Sequence, residues 1–253
     1  MTKTNFVIDT DIGTDPDDAF ALAYAIKNNA DIKAITITQG DTIIRAKIAR
    51  KLERILGINI PITAGKSGSK DMIKKYWTGI EPLALTQQEL NENLENNKFP
   101  EYDKDTKLIC IGLLTNIAFQ LENNPSIKNV KEVYIMGSEG THNMITDNEA
   151  AQKVFSQPWK IFQITNEVSK KVCFTLNELE ALKKTELGNF LYESTKRWAD
   201  YTGRTEFPMY DALAVSAALG EDFVKFNKTA ENRFISYDVD IKFKNKIMEA
   251  IKS

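Results

Sequence analysis

Residues 6–18 read Phe-Val-Ile-Asp-Thr-Asp-Ile-Gly-Thr-Asp-Pro-Asp-Asp, an apolar strand-like run that leads into five aspartates. The next residues, 19–26, read Ala-Phe-Ala-Leu-Ala-Tyr-Ala-Ile and have the apolar character of a largely buried helix. The aspartates therefore lie at a predicted strand-to-helix turn. In open α/β sheets, ligands bind at such turns, outside the carboxyl ends of the strands.

Five carboxylates at one turn repel one another, so they must either extend into water or be held by positive charge. All-oxygen sites suit hard cations such as calcium or magnesium. Helix capping explains one or two of the acids, Asp15 and Asp17, but not five. An EF-hand calcium loop would follow a helix and close with a glutamate, which this segment does not do. The turn predicts a metal site, with Asp15 as a capping or loop acid.

Composition limits the kind of partner. The chain has 253 residues, 42% of them hydrophobic, and a net charge of -2, so it has a core but no basic field for nucleic acid or anionic membrane. No run approaches the roughly 20 apolar residues of a membrane span. The first residues lead directly into a strand, which predicts a cytoplasmic protein without a signal peptide. Cys110 and Cys173 lie in apolar runs and are interpreted as reduced core residues.

Strand and helix patterns alternate along the first two-thirds of the chain, which predicts a doubly wound, mainly parallel α/β sheet with flanking helices and a helical C-terminal region. We interpret residues 1–253 as one domain. The predicted strands are Phe6–Asp9, Ile32–Thr38, Ile60–Ala64, Lys107–Ile111, Glu132–Met136 and Lys160–Ile164. The predicted helices are Asp17–Asn29, Thr42–Leu56, Leu114–Asn123 and Asn148–Ser156. Residues 66–105 are polar, with one helix at Thr86–Asn96, and a last strand lies near Arg233–Tyr237 before a terminal helix.

Four further segments follow the aspartate turn in a fixed order. They are Gly112-Leu-Leu-Thr-Asn-Ile-Ala118, Met136-Gly137, Thr141-His142-Asn143 with Asp147-Asn-Glu-Ala-Ala151, and Tyr210-Asp211-Ala-Leu-Ala-Val-Ser216. Each alone has an ordinary reading, since Thr115 or Asn116 can cap a helix and so can Asp211. Together with Asp9-Thr-Asp11 and Asp17-Asp18-Ala19, they resemble the inosine-uridine-preferring nucleoside hydrolase family over nearly the whole chain.

The resemblance implies an α/β enzyme that binds one calcium ion and hydrolyses the N-glycosidic bond of ribonucleosides, as in purine and pyrimidine salvage. It implies a metal set made of three carboxylates and one main-chain carbonyl, namely Asp11, Asp18, Asp211 and Ile135. By motif position, Asp17 and Asn143 bind the ribose and Asp11 is also the general base that activates water. Asp9 takes a supporting role that orients Asp11.

The sequence departs from the family pattern at the predicted substrate site. Tyr210 stands where the family often has a leaving-group histidine, and a phenol is a weaker acid at neutral pH. Thr141 stands where a glutamate is expected, and Asp41 replaces an asparagine as a predicted substrate-binding residue. His142, the only histidine, is either a leaving-group acid or stacking residue, or an ordinary loop histidine. The catalytic candidates are therefore Asp11, His142 and Tyr210.

The leading hypothesis is calcium-dependent hydrolysis of a ribonucleoside or related riboside. One alternative is a family member that binds calcium and a riboside with little turnover. Another is a haloacid-dehalogenase-like metal-dependent phosphatase, because Asp9-Thr-Asp11 after an apolar strand fits that group. The expected partner is a small nucleoside, without nucleic acid or membrane. Because relatives often form dimers or tetramers, the resemblance also implies a homo-dimer or homo-tetramer.

Overall fold

The fold centres on an eight-stranded sheet with the spatial order β3-β2-β1-β4-β5-β6-β10-β9. The computed structural model describes residues 4–69 and 77–252. All neighbours in the sheet run parallel except β9 and β10, which pair antiparallel. Two-residue strands β7 and β8 form a separate antiparallel pair. The bounds are β1 (Asn5–Thr10), β2 (Ile32–Ile37), β3 (Ile62–Ala64), β4 (Thr106–Cys110), β5 (Glu132–Met136), β6 (Lys160–Ile164), β7 (Cys173–Phe174), β8 (Phe207–Pro208), β9 (Val224–Ala230) and β10 (Arg233–Val239).

Helices connect the strands and cover the sheet. In the described part of the chain, the α-helices are α1 (Asp17–Lys27), α2 (Thr42–Leu56), α3 (Gln87–Asn91), α4 (Thr115–Asn123), α5 (His142–Ile145), α6 (Asn148–Phe155), α7 (Asn166–Ser169), α8 (Leu176–Leu179), α9 (Glu186–Thr202), α10 (Tyr210–Ala218) and α11 (Phe243–Lys252). Short 3₁₀ helices lie at Glu81–Ala84, Pro125–Asn129 and Glu180–Lys184. None of the described helices has the length and apolar character that crossing a membrane requires.

Side chains of the inner strands alternate between the two faces of the sheet, as the two-residue period of a strand requires. Along β1, Phe6 and Ile8 belong to one hydrophobic cluster and Val7 to the other. Along β5, Tyr134 and Ile135 divide in the same way. The inner strands are therefore apolar on both faces, which explains why they read as near-continuous hydrophobic runs in the sequence.

The α/β class and the six strands predicted up to Ile164 are confirmed. The helix predicted at Thr86–Asn96 is shorter: Thr86 forms a capping box before its first residue, and the helix ends at Asn91. The edge strand β9 was not predicted, because its sequence Val-Lys-Phe-Asn-Lys-Thr-Ala is polar and mostly exposed. Both cysteines are unpaired as expected. Cys110 is buried, but Cys173 is partly exposed, so its interpretation as a core residue is wrong.

This topology brings distant acids to one edge of the sheet. Parallel strands β1, β2, β4 and β5 are neighbours, so their carboxyl ends open on the same side. Helix α1 starts at that side and packs against α10. The first turns of the two helices carry Asp17 and Asp18 on one and Asp211 on the other. Residues almost two hundred positions apart therefore meet above the strand ends.

Candidate active site

The centre of the site is a group of three carboxylates at the start of α1. Oxygen atoms of Asp15, Asp17 and Asp18 lie within 4.8 Å of one another, the spacing of ligands around a single cation. The N-cap of α1 is Pro16, whose side chain makes no capping hydrogen bond, so none of these acids is needed as the cap. Asp15 thus differs from its interpretation as a capping or loop acid: it belongs to the convergent group.

Asp11 and Asp211 complete the acidic floor. Asp11 follows β1 directly, and its Oδ1 lies so close to Gly112 that a Cβ on that glycine would come within 2.9 Å of it. Asp211 is buried in the first turn of α10. Both side chains line the same cleft as Asp15, Asp17 and Asp18. The sequence-predicted carboxylates Asp11, Asp18 and Asp211 are therefore brought together.

Burial raises the pKa of all five of these carboxyl groups above the usual range, most strongly for Asp17, Asp18 and Asp211. For the last of these, the negative charges of the other four acids are the next causes of the raised pKa. The protein groups around the cleft therefore do not offset the charge of five ionised carboxylates. A divalent cation would supply the missing positive charge, and an all-oxygen donor set favours hard cations over zinc or copper.

Hydrogen bonds from beneath fix two of the acids. The Thr10 hydroxyl donates to the carboxylate of Asp18. Asp9 is fully buried and accepts from the Thr36 hydroxyl and, at 2.8 Å, from Asn116 Nδ2. Burial raises the pKa of Asp9 to about 7 despite these bonds. Asp9 does not line the cleft, and the supporting role predicted for it, orienting Asp11, stays a prediction.

The cleft also has a fully buried cation, Arg45. Its guanidinium donates to the carbonyls of Asp11 and Ile12, at 2.9 Å for the latter, and to the Thr14 hydroxyl at 2.9 Å. Its Nη2 lies 4.0 Å from Oε1 of the buried Glu81. Arg45 therefore stabilises the main chain of the acidic turn by hydrogen bonds to its carbonyls.

The cleft encloses about 420 Å³, which is within the usual range of small-molecule sites. Beyond the acids, its lining includes the predicted residues His142, Asn143 and Tyr210. Burial, followed by the charge of Asp17, raises the pKa of Tyr210 to about 12, so the phenol is protonated at neutral pH. The His142 Nε2 lies 3.4 Å from Nε2 of Gln39. The site thus combines an acidic floor with protonatable groups beside it.

Two predicted substrate-binding residues have a different environment from the one expected. Asp41 is the N-cap of α2, and its Oδ1 accepts from the amides of Ile43 and Ile44. The residue after β2 that lines the cleft is Gln39. Asn143 lines the cleft, but its Nδ2 donates to the main-chain carbonyls of Ile111 and Met136. The geometry gives no support to a substrate contact by Asp41.

The carbonyl predicted as a metal ligand also differs in its surroundings. Ile135 lies inside β5, between β4 and β6, and its side chain is fully buried. The strand-end residues that line the cleft are Met136 after Ile135 and Ile111 after β4. Ile111 adjoins Gly112, which packs against Asp11. The carbonyl of Ile111 accepts from Asn143 Nδ2 at 3.0 Å. The role of Ile135 as a metal ligand stays a prediction.

A second depression, of about 750 Å³, lies elsewhere and is larger. It is lined by one side of α9 together with Leu83 and Lys51. Two of its cations are already paired, Lys51 with Glu89 and Lys196 with Asp200. The smaller cleft is the better candidate because the convergent carboxylates lie there.

Sequence reasoning missed Gln39, Arg45 and Asn116. The interpretation of Asn116 as a helix cap is wrong, because its side chain bonds Asp9, the Ile37 carbonyl and the Lys66 amide. Arg45 lies on the buried face of α2, and an arginine among apolar residues at helical spacing is the one sequence signal that pointed to it.

Comparison with known proteins identifies the family to which the chain belongs. A family model described as inosine-uridine preferring nucleoside hydrolase matches residues 6–249. The chain is 22% identical to a protein of Oryza sativa subsp. japonica named "Probable uridine nucleosidase 1", over 89% of this chain and 80% of that protein. It is 27% identical to an inosine-uridine preferring nucleoside hydrolase of Crithidia fasciculata, over 71% of this chain and 65% of that protein.

Solved structures show the same fold at low sequence identity. A purine-preferring ribonucleoside hydrolase from Gardnerella vaginalis superposes with a TM-score of 0.78 at 19% identity, covering 98% of both chains. An inosine-uridine preferring nucleoside hydrolase from Bacillus anthracis gives 0.75 at 19% identity, covering 99% of both. Since the family model spans almost the entire sequence, this chain belongs to the inosine-uridine preferring nucleoside hydrolase family and is a hydrolase that acts on nucleosides.

Proposed function

We propose that the protein hydrolyses the N-glycosidic bond of a ribonucleoside in a calcium-dependent reaction, releasing the base and ribose. One observation carries the proposal: Asp11, Asp15, Asp17, Asp18 and Asp211 line a single cleft at the carboxyl ends of the strands. Calcium takes six to eight oxygen ligands, which a carboxylate-rich cleft can supply together with water and sugar hydroxyls. Asp11, Asp18 and Asp211 are the proposed carboxylate ligands, and the convergence of Asp15 adds it as a further candidate.

The remaining side chains have separate tasks in this reaction. When bound, the cation would neutralise the carboxylates and lower the pKa of water near the sugar. Asp11 would accept the proton from the water that attacks the anomeric carbon, while the carbon–nitrogen bond breaks. The sugar passes through a positively charged, oxocarbenium-like state, which the surrounding carboxylates stabilise. Asp17 would hydrogen-bond a ribose hydroxyl.

The departing base needs a proton or a hydrogen bond. Two cleft residues can supply it, Tyr210 and His142. Tyr210 carries its proton at neutral pH because burial raises its pKa to about 12, which also makes it a weak acid. Histidine is the residue type that most often moves a proton in enzymes, and His142 lines the cleft. We therefore propose His142 as the acid and Tyr210 as a hydrogen-bond donor to the base.

The test incubates the protein with a panel of purine and pyrimidine ribonucleosides and measures the released free base by chromatography. We expect activity to disappear after chelation and to return with calcium. Asp18→Asn should lose at least about 100-fold in rate, because one oxygen ligand and its charge are removed. Asp240→Asn is the matched control, since Asp240 is exposed and its Oδ1 accepts from the Lys242 amide in the turn before α11, a bond that an asparagine oxygen can also accept.

The outcomes separate the alternatives from the proposal. Unchanged rates in Asp18→Asn or after chelation would contradict it. Turnover of p-nitrophenyl riboside without turnover of any nucleoside would show a missing leaving-group acid, because that leaving group needs no proton. Calcium binding without turnover of any riboside would favour the binding-only alternative. The family match gives no support to the phosphatase alternative, which predicts phosphate release.

A further inference from the structure

Gln39 is a polar residue that the fold buries at the active site without satisfying it. It follows β2, lines the cleft and is 1% exposed. Its Oε1 is buried and has no hydrogen-bond partner among the described residues. Its Nε2 lies 3.4 Å from His142 Nε2. Leaving a buried acceptor unpaired is unfavourable, so stability of the fold does not explain a glutamine at this position.

The main chain of Gln39 is also held in an unfavourable conformation. Its φ is +66°, in the left-handed region that non-glycine residues rarely adopt. Its carbonyl accepts from Arg45 Nε at 2.9 Å, and its amide donates to the Lys66 carbonyl at 3.0 Å. The buried guanidinium that fixes the Asp11 turn thus also fixes Gln39. Strained, over-determined residues of this kind concentrate at functional sites.

The two ends of the side-chain amide face different partners. The Nε2 end lies against His142 Nε2, and it donates there when the ring is neutral with its proton on Nδ1, which is the state of the ring before it takes up the proton proposed for the leaving base. The acceptor end is the one left unpaired. A group that donates a hydrogen bond would satisfy it, and the sugar hydroxyls of a nucleoside are donors of this kind.

We propose that Gln39 is a substrate-binding and positioning residue whose amide accepts a hydrogen bond from a sugar hydroxyl and donates one to His142. The role rests on the proposed nucleoside hydrolysis. It replaces Asp41 as the substrate contact at the end of β2, because Asp41 is engaged as the α2 cap. Substrate binding and orientation of the only histidine are then linked through one side chain.

The experiment combines one protein variant with changes in the substrate. Gln39→Met keeps the length of the side chain and removes both polar ends. Its kcat/KM is measured on a ribonucleoside and on the 2′-, 3′- and 5′-deoxy forms of that nucleoside. We expect a loss of roughly 10-fold on the parent, the size of one hydrogen bond in a desolvated site. One deoxy form, which lacks the contacted hydroxyl, should lose clearly less.

Equal losses on all four substrates, or no loss, would overturn the sugar contact. A merely structural role of Gln39 predicts equal losses, so the substrate comparison distinguishes the two. Gln88→Met is the matched control, because Gln88 is exposed on α3. If the wild-type protein cleaves no nucleoside, the proposed function fails, and the same comparison is made on calorimetric dissociation constants. Binding of nucleosides that does not depend on Gln39, or no binding, overturns the Gln39 role as well.

The second contact has its own readout. The chain has a single histidine. Both imidazole ¹⁵N resonances therefore belong to His142 and do not overlap with those of another ring. Gln39→Met should shift the Nε2 resonance of the neutral ring, whereas Gln88→Met should not. Identical ¹⁵N spectra of the wild-type and Gln39→Met proteins would refute the contact with His142.

Discussion

The aspartates of the acidic turn differ in their surroundings although they are close in sequence. Asp9 lies beneath the cleft with two donors, Asp18 has the Thr10 hydroxyl, and Asp15 joins Asp17 and Asp18 as potential ligands. The spacing of the acids predicted a cation site. It could not assign each acid, because the assignment depends also on Thr36 of β2 and Asn116 of α4, which the local sequence does not contain.

Burial also sets the chemistry of an acid outside the site, Glu53. Its side chain is 1% exposed, pairs with Arg50 and accepts from the Ile60 amide at 3.0 Å. Burial outweighs both contacts and raises the pKa of Glu53 from 4.5 to about 7. The folded state therefore holds this proton more tightly than the unfolded chain. The resulting stabilisation is complete below about pH 4.5 and is lost as the pH rises through about 7.

We predict that this residue makes the free energy of unfolding fall between pH 5 and pH 8, by up to about 3 kcal/mol. Urea denaturation of the wild-type protein and Glu53→Gln, both with chelator, measures the effect. The free energy of unfolding of Glu53→Gln, relative to that of the wild-type protein, should increase as the pH rises. A difference that is constant over this range would show that the pKa of Glu53 is not raised.

Among the helices, α9 shows how a close approach constrains a residue. A Cβ on Gly188 would lie 1.9 Å from the Leu182 carbonyl oxygen in the preceding 3₁₀ helix. Helix propensity alone favours alanine over glycine by about 1 kcal/mol. The clash is with main chain, which cannot rotate away as a side chain can, so the packing penalty should exceed that gain.

We therefore predict that Gly188→Ala lowers the free energy of unfolding by about 2 kcal/mol. Asn189→Ala is the control in the same turn, because Asn189 is exposed and its substitution tests helix propensity alone. Equilibrium denaturation of both variants gives the comparison. Equal or greater stability of Gly188→Ala relative to wild type would mean that the two helices do not pack this closely.

The elements that were predicted from sequence are those with an apolar pattern of their own. The inner strands and helices α1, α2, α4 and α6 were recognisable because both faces, or one stripe, must be buried. The strand β9 pairs with β10 through its main chain and has mostly exposed side chains, so its composition does not distinguish it from a loop. A strand of this kind is recognised from its main-chain pairing in the structure and not from its own sequence.

At the scale of the whole molecule, this chain and the solved structures similar to it share the fold much more than they share the amino-acid sequence. Structures at 14% identity still superpose with TM-scores of 0.73 and 0.71, covering this chain completely. Ordered motifs could therefore predict the fold and the family. They could not predict the substrate contacts, because Thr141, Tyr210 and Asp41 depart from the pattern where the sugar and base are expected. That residues 1–253 form one domain stays a prediction.

The central claim is that the acidic cleft holds one calcium ion on which activity depends. Its most direct test is calorimetric titration of calcium into the chelator-treated protein and into Asp18→Asn. We predict a single site per chain in the wild-type protein and loss of that site in Asp18→Asn, with Asp240→Asn unchanged. Absence of calcium binding in the wild-type protein, or unaltered binding in Asp18→Asn, would contradict it.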